Sequence, residues 1–346
     1  MIHFDSDYNN GAHPLVLQRL IETNHEKSIS YGYDEWSESA RNKIRKCIAC
    51  PQAEVEFLVG GTQTNATVLD SILATGDGVL AVETAHIAVH EAGAIETSGH
   101  KVITIKGNDG KMMADNLKVW LQKFYDDETY PHMVQPGIVY VTFPTELGTI
   151  YSRDELSAVY DVCQEYSLPL FIDGARMGYG LMADQCDFDI KWLAQHCDAF
   201  YFGGTKVGAL CGEAVVLPKG KAPRNFFTNV KRHGALLAKS RILGVQFDAL
   251  FTDNLYFNIS RHAISMAHLL RKTFIDAGFK MANQSPTNQQ FVIIPTSMLE
   301  PLRKHVIYEV WEHIDNDNAV CRFVTSWATT EEEIRQLANV LGSIGM

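Results

Sequence analysis

The feature that most limits how this chain can fold is an alternation, repeated from about residue 54 to residue 217, of short apolar runs with longer amphipathic stretches. Seven runs read as strands: Glu54–Val59, Gly78–Val82, Lys101–Ile105, Gly137–Thr142, Leu168–Ile172, Ala199–Phe202 and Glu213–Leu217. Several are apolar on both faces, a pattern suited to strands with helices on each side of their sheet. Helical periodicity fills the intervals at Thr64–Ala74, His86–Ser98, Asp115–Phe124 and Arg153–Tyr166. The last carries Asp154 and Glu155 in its first turn, against the positive end of the helix dipole. This rhythm predicts an α/β fold built on a mainly parallel sheet.

Beyond about residue 240 the rhythm changes. Leu243–Lys272 predicts one or two long helices, Phe291–Pro295 and Arg322–Thr325 predict strands of a smaller sheet, and Thr330–Leu341 predicts a closing helix. The expected organisation is a large α/β domain over 45–245, a smaller α+β domain over 246–346, and an N-terminal segment, 1–44, packing with the small domain. A length of 346 residues agrees with two lobes, because single cores stop growing near this size. Thirty Lys and Arg against 41 Asp and Glu leave a formal charge of −11, which argues against a nucleic-acid partner. No apolar run approaches the ~18 residues of a spanning helix, and the opening MIHFDSDYNNG lacks a secretory pattern. An odd seven cysteines fit reduced thiols in a cytoplasmic protein.

Three segments carry candidate chemistry. Val59-Gly60-Gly61-Thr62-Gln63-Thr64-Asn65 follows a strand and opens a helix. Two glycines let backbone approach a ligand, and free amides at a helix start suit a phosphate; an ordinary Thr-capped turn would read the same way. Leu170-Phe171-Ile172-Asp173-Gly174-Ala175-Arg176 sets a carboxylate at the end of a buried strand, where open α/β sheets bind ligands and where an Asp also caps turns. Phe202-Gly203-Gly204-Thr205-Lys206-Val207-Gly208 places a lysine among small residues. Such a lysine is either a solvated loop residue or, if desolvated, an imine-forming amine.

In this order, with Asp173 and Lys206 33 positions apart, the segments resemble pyridoxal-phosphate enzymes of the aspartate-aminotransferase fold (fold type I). The nearer resemblance is to the threonine aldolase and β-eliminating lyase family. It extends through Ser6-Asp7, GGTQTN, AHIAVHEAGA, FIDGAR, GGTK and CRFVT. The resemblance implies that pyridoxal 5′-phosphate is the cofactor and that Lys206 holds it as a Schiff base. Asp173 would pair with the pyridinium nitrogen and keep the ring an electron sink. Gly61, Thr62 and the Gln63 amide would hold the phosphate, with a hydroxyl from Thr205. His86 would stack on the ring, and Ser6, Arg176 and Arg322 would bind the substrate carboxylate. The implied reaction cleaves a β-hydroxy-α-amino acid of the L-threonine type to glycine and an aldehyde. A base must then take the β-hydroxyl proton, and His86, or a water it positions, is the candidate. β-Elimination on another β-substituted amino acid, or a non-catalytic ligand-binding role, are the alternatives.

One segment departs from the family. Where better-characterised threonine aldolases carry a second active-site histidine, this chain reads Thr142-Phe143-Pro144-Thr145-Glu146-Leu147-Gly148, so Glu146 either takes the proton or faces solvent. The family also implies that the basic stretch Arg224–Arg241 reaches a neighbouring subunit's cofactor phosphate. Lys239 is the candidate there, in a homodimer or homotetramer with shared active sites. The apolar stripe along Ile242–Leu270 then reads as core and subunit contact. Other signals are weaker. Cys47-Ile48-Ala49-Cys50 has no second C-x-x-C to complete a zinc site and falls inside a helix expected to begin near Trp36. His86-x-x-x-His90-Glu91 lacks the H-E-x-x-H order of a metal site, so no metal is expected, and no dinucleotide fingerprint follows the first strand.

Overall fold

The computed structural model describes residues 1–344. Its strands are β1 (Ile2–His3), β2 (Glu54–Leu58), β3 (Asp77–Val82), β4 (Lys101–Ile105), β5 (Gln135–Thr142), β6 (Leu170–Asp173), β7 (Ala199–Gly203), β8 (Glu213–Leu217), β9 (Lys280–Met281), β10 (Gln289–Pro295), β11 (Val306–Ile307), β12 (Glu309–His313) and β13 (Asn318–Val324). The seven apolar runs all lie in one sheet, ordered β2-β8-β7-β6-β5-β3-β4. β4, β3, β5, β6 and β7 pair in parallel, while β8 runs against both of its neighbours. The architecture is therefore α/β with a mainly parallel sheet, as the alternation predicts. A four-stranded antiparallel sheet, β12-β13-β10-β9, forms the smaller α+β part.

This topology positions the site. Strands β2, β3, β5, β6 and β7 point the same way, so the segments after them emerge along one edge, the usual ligand edge of such sheets. Register tightens the grouping. Thr142 lies beside Asp173, and Gly203 and Leu58 both lie beside Glu213. Two glycines allow the closest approach. A β-carbon on Gly174 would run into the carbonyl of Tyr201, and one on Gly203 would run into that of Ala175. Only residues without a side chain let the ends carrying Asp173 and Lys206 touch.

Three local expectations are corrected. His86–Ser98 is not one helix but two short ones, His86–Val89 and Ala94–Thr97. Ala92 and Gly93 between them have φ of 51° and 74°, a left-handed stretch that breaks the helix. The C-x-x-C straddles the end of a helix rather than lying inside it. Cys47 closes α2 (Glu35–Cys47; α1 is Pro14–Thr23), and Ala49 turns left-handed at φ 56° before buried Cys50. Burial pushes the Cys47 thiol up to about 11, away from reactivity. The N-terminal segment also divides. β1 pairs with β11 and Phe4 joins the core of the smaller part, whereas Val16, Ala40 and Ile44 belong to the large core. Helix Leu255–Asp276 likewise serves both. Tyr256 and Ala263 face the large core, while Leu270 and Phe274 face the small one.

Candidate active site

At the carboxyl edge of the large sheet, Gly61, His86, Asp173, Arg176 and Lys206 line one pocket. Five of the sequence-predicted residues therefore meet, although they span most of the large sheet's sequence.

Asp173 ends β6, is 2% exposed, and accepts four hydrogen bonds. Tyr201 Oη and the Ala175 amide donate to Oδ1 at 2.5 and 2.9 Å, and Tyr140 Oη and Asn65 Nδ2 donate to Oδ2 at 2.5 and 2.9 Å. Burial pushes this carboxyl's pKa up, but the two tyrosine hydroxyls and the remaining interactions outweigh it and hold Asp173 below the usual carboxylate range. It is a fixed negative charge, the form needed to hold a protonated ring nitrogen.

Lys206 lies in the loop after β7. Its carbonyl accepts from Tyr179 Oη at 2.6 Å, and its Nζ stands 5.9 Å from the centre of the Tyr8 ring. Burial first, and then the Arg176 guanidinium, lower its pKa, which raises the fraction of free amine available as a nucleophile. Thr205, beside it, is corrected as a phosphate donor. Its hydroxyl donates to Glu213 Oε1 at 2.8 Å and accepts from the Gly212 amide at 3.1 Å. Buried Glu213 also accepts the Gly204 amide at 3.0 Å, and burial pushes its carboxyl up to about 8.

The helix α3 (Gly61–Ile72) begins at Gly60, which supplies no capping side chain. The first-turn amides, those of Gly61, Thr62 and Gln63, have no partner within the helix and remain available for an anion. The Gln63 side chain is occupied separately. Its Oε1 accepts the Val59 amide at 3.2 Å and its Nε2 donates to the His233 carbonyl at 2.9 Å. A buried anionic anchor, a depressed lysine and an uncapped helix start together fit the three chemical ends of pyridoxal 5′-phosphate.

His86 Nδ1 lies 2.8 Å from Glu91 Oε1, and that oxygen also accepts from Asn65 Nδ2 at 2.7 Å. One amide thus ties the histidine's carboxylate partner to Asp173. The expected carboxylate ligands do not all converge. Arg176 lines the pocket, but its Nε and Nη2 donate to Asp7 at 2.7 and 3.1 Å, leaving the Nη1 edge for a substrate. Ser6 accepts the Tyr8 amide at 3.1 Å and faces a groove with Ser326 and Thr329. Arg322 pairs with Glu309, donates to Gln289 Oε1 at 3.0 Å, and sits 5.1 Å above the Trp311 ring. Lys239 is exposed in the loop before helix Arg241–Leu250, away from this chain's pocket.

The sequence reading missed Asp7, Tyr140, Tyr201, Glu91 and Glu213 as functional groups. Tyr140 and Tyr201 were detectable: a phenol inside an otherwise apolar strand needs a buried hydrogen-bond partner.

A family model described as β-eliminating lyase matches residues 4–297. A low specificity L-threonine aldolase from a Pseudomonas species is 31% identical over 339 residues, covering 97% of this chain and 95% of that protein. The threonine aldolase of Leishmania major has a solved structure that matches with a TM-score of 0.95 and 34% identity, over 100% of both chains. An aspartate aminotransferase from Thermus thermophilus matches at 15% identity and a TM-score of 0.69, over 99% of this chain and 91% of that one, which shows the shared fold alone.

Proposed function

Since the chain belongs to the β-eliminating lyase family, we propose that it is a pyridoxal-phosphate-dependent carbon–carbon lyase. It splits a β-hydroxy-α-amino acid of the L-threonine type into glycine and an aldehyde. The observation that carries this reading is the meeting of Lys206, Asp173 and His86 in one pocket beside the open start of α3. Bound there, the cofactor supplies a sink for the electron pair released at Cα. The remaining work belongs to the chain. The α3 amides would hold the phosphate, Asp173 would keep the ring nitrogen protonated, and His86 would lie against the ring. The Nη1 edge of Arg176 receives the substrate carboxylate. The Lys206 amine would hold the cofactor covalently and exchange a proton with Cα. Incubation with L-threonine is expected to release glycine and an aldehyde; ammonia and a keto acid would instead assign β-elimination.

The active unit on this reading is a homodimer or homotetramer in which Lys239 completes the neighbouring subunit's phosphate site. Lys239→Ala should then weaken cofactor retention roughly tenfold, as expected for loss of about 1.4 kcal/mol of binding, in a protein that sediments as a dimer or larger. Unchanged retention, measured by equilibrium dialysis, would remove Lys239 from the site. No helix among the described residues is long and apolar enough to cross a membrane. All seven cysteines are free thiols, which supports the reducing cytoplasm as the location, to be checked by cell fractionation.

A further inference from the structure

Glu146 lies four residues past the end of β5 and is 7% exposed. Its two oxygens have unlike surroundings. Oε1 accepts from Thr142 Oγ1 at 2.8 Å and from the His86 amide at 3.0 Å. Oε2 is buried with no hydrogen-bond partner, and the residue lines the same pocket as Lys206 and Asp173. A buried carboxylate oxygen without a donor is costly and rare. Asn65 Oδ1 and Glu91 Oε2, on two other residues of the same wall, are likewise buried without a partner, so a ligand in the pocket is the natural source of the missing donors.

We propose that Glu146, through Oε2, is the catalytic residue that takes the proton from the substrate's β-hydroxyl. The proposal rests on the aldol-cleavage reading above and deepens it. In the cleavage direction the O–H bond breaks and its proton passes to Oε2. The freed pair becomes the second C–O bond of the departing aldehyde. The Cα–Cβ bond breaks with its electrons left on the glycine fragment, and a proton from Lys206 completes Cα. In the reverse direction Glu146 returns its proton to the new hydroxyl. Nothing is oxidised or reduced.

The surroundings suit this work. Burial, reinforced by the charge of Asp173, raises the Glu146 pKa, while Thr142 and His86 work against the rise. A carboxylate made more basic in this way is a better acceptor near neutral pH. The phenols of Tyr140 and Tyr151 also feel its charge. His86, by contrast, is tied through Nδ1 to Glu91, an arrangement that orients the ring. The division of labour is then His86 for positioning and ring contact, and Glu146 for the hydroxyl proton.

Glu146→Gln tests this in the holoenzyme. The amide oxygen keeps the bonds to Thr142 and His86, and only the free acceptor is replaced. Cleavage of L-threonine should fall ~10²–10⁴-fold, the usual worth of a general base. Glycine affinity, titrated from the change in cofactor absorbance, and exchange of the glycine α-proton with deuterium should both stay within about twofold, since neither involves a β-hydroxyl. Cleavage within about tenfold of wild type would overturn the assignment. So would a parallel loss of glycine binding, exchange and cleavage, which would make the carboxylate structural. A wild-type protein that exchanges the glycine proton but releases no aldehyde would overturn the aldol reading itself, before any variant is compared.

Discussion

Lys206→Ala is expected to lower aldehyde release by ~10³-fold or more, because one side chain supplies both the covalent attachment and the proton exchanged at Cα. The fold should survive. The Lys206 loop is held through backbone, by Tyr179 on the Lys206 carbonyl and by paired amides at Gly204 and Thr205, and none of these bonds uses the amine. Asp7 also keeps Arg176 and Asn288 as partners. Borohydride reduction of the wild-type holoenzyme, followed by peptide mapping, should fix the cofactor on the peptide containing Lys206, and the variant should take up none. Label recovered on a different lysine would move the attachment site and remove the basis of the mechanism.

Asp173→Asn is also expected to have a large effect, and it combines two losses. The carboxylate accepts from two phenols, one side-chain amide and one backbone amide. Its replacement presents an NH2 group to some of those donors. At least one buried donor loses its acceptor, a cost of about 1–3 kcal/mol, readable as a lower urea midpoint. The negative charge that holds the ring-nitrogen proton is also gone, so cleavage should fall ~10²–10³-fold, similar to the loss of a preorganised electrostatic group elsewhere. The two effects separate. A variant that is less stable yet cleaves threonine at the wild-type rate would show that the anion does not face the ring.

Much of this arrangement is legible in the chain itself. The apolar runs could be recognised because a strand covered on both faces has little room for polar side chains, and all seven became strands of one sheet. Asp173 and Lys206 stood out because each follows directly on such a run. The missed groups are of another kind. Asp7 reaches Arg176 across 169 residues, and no local period connects them. The helix over His86–Ser98 failed because the 3.6-residue pattern cannot register a left-handed pair at Ala92 and Gly93. Arg322 shows the same limit from the other side: Glu309 and Trp311 hold part of its guanidinium, yet its Nε is buried without a partner and the charges of Arg176 and Asp7 reach it, and no strand pattern records either fact.

Sequence alone determined the element types, the parallel sheet and the edge at which chemistry collects, since these depend on hydrophobic period and on residues adjacent in the chain. Tertiary structure alone decided which polar atoms are already satisfied and which are not. Glu146 illustrates the difference. Its place after a strand is a matter of order in the chain, but the contrast between a doubly bonded Oε1 and a solitary Oε2 arises only when Thr142, His86 and the pocket wall close around it. Hydrogen-bond saturation is a property of a three-dimensional neighbourhood, fixed by packing among distant segments; a strand phenol such as Tyr140 or Tyr201 announces that it needs a partner, but not which one.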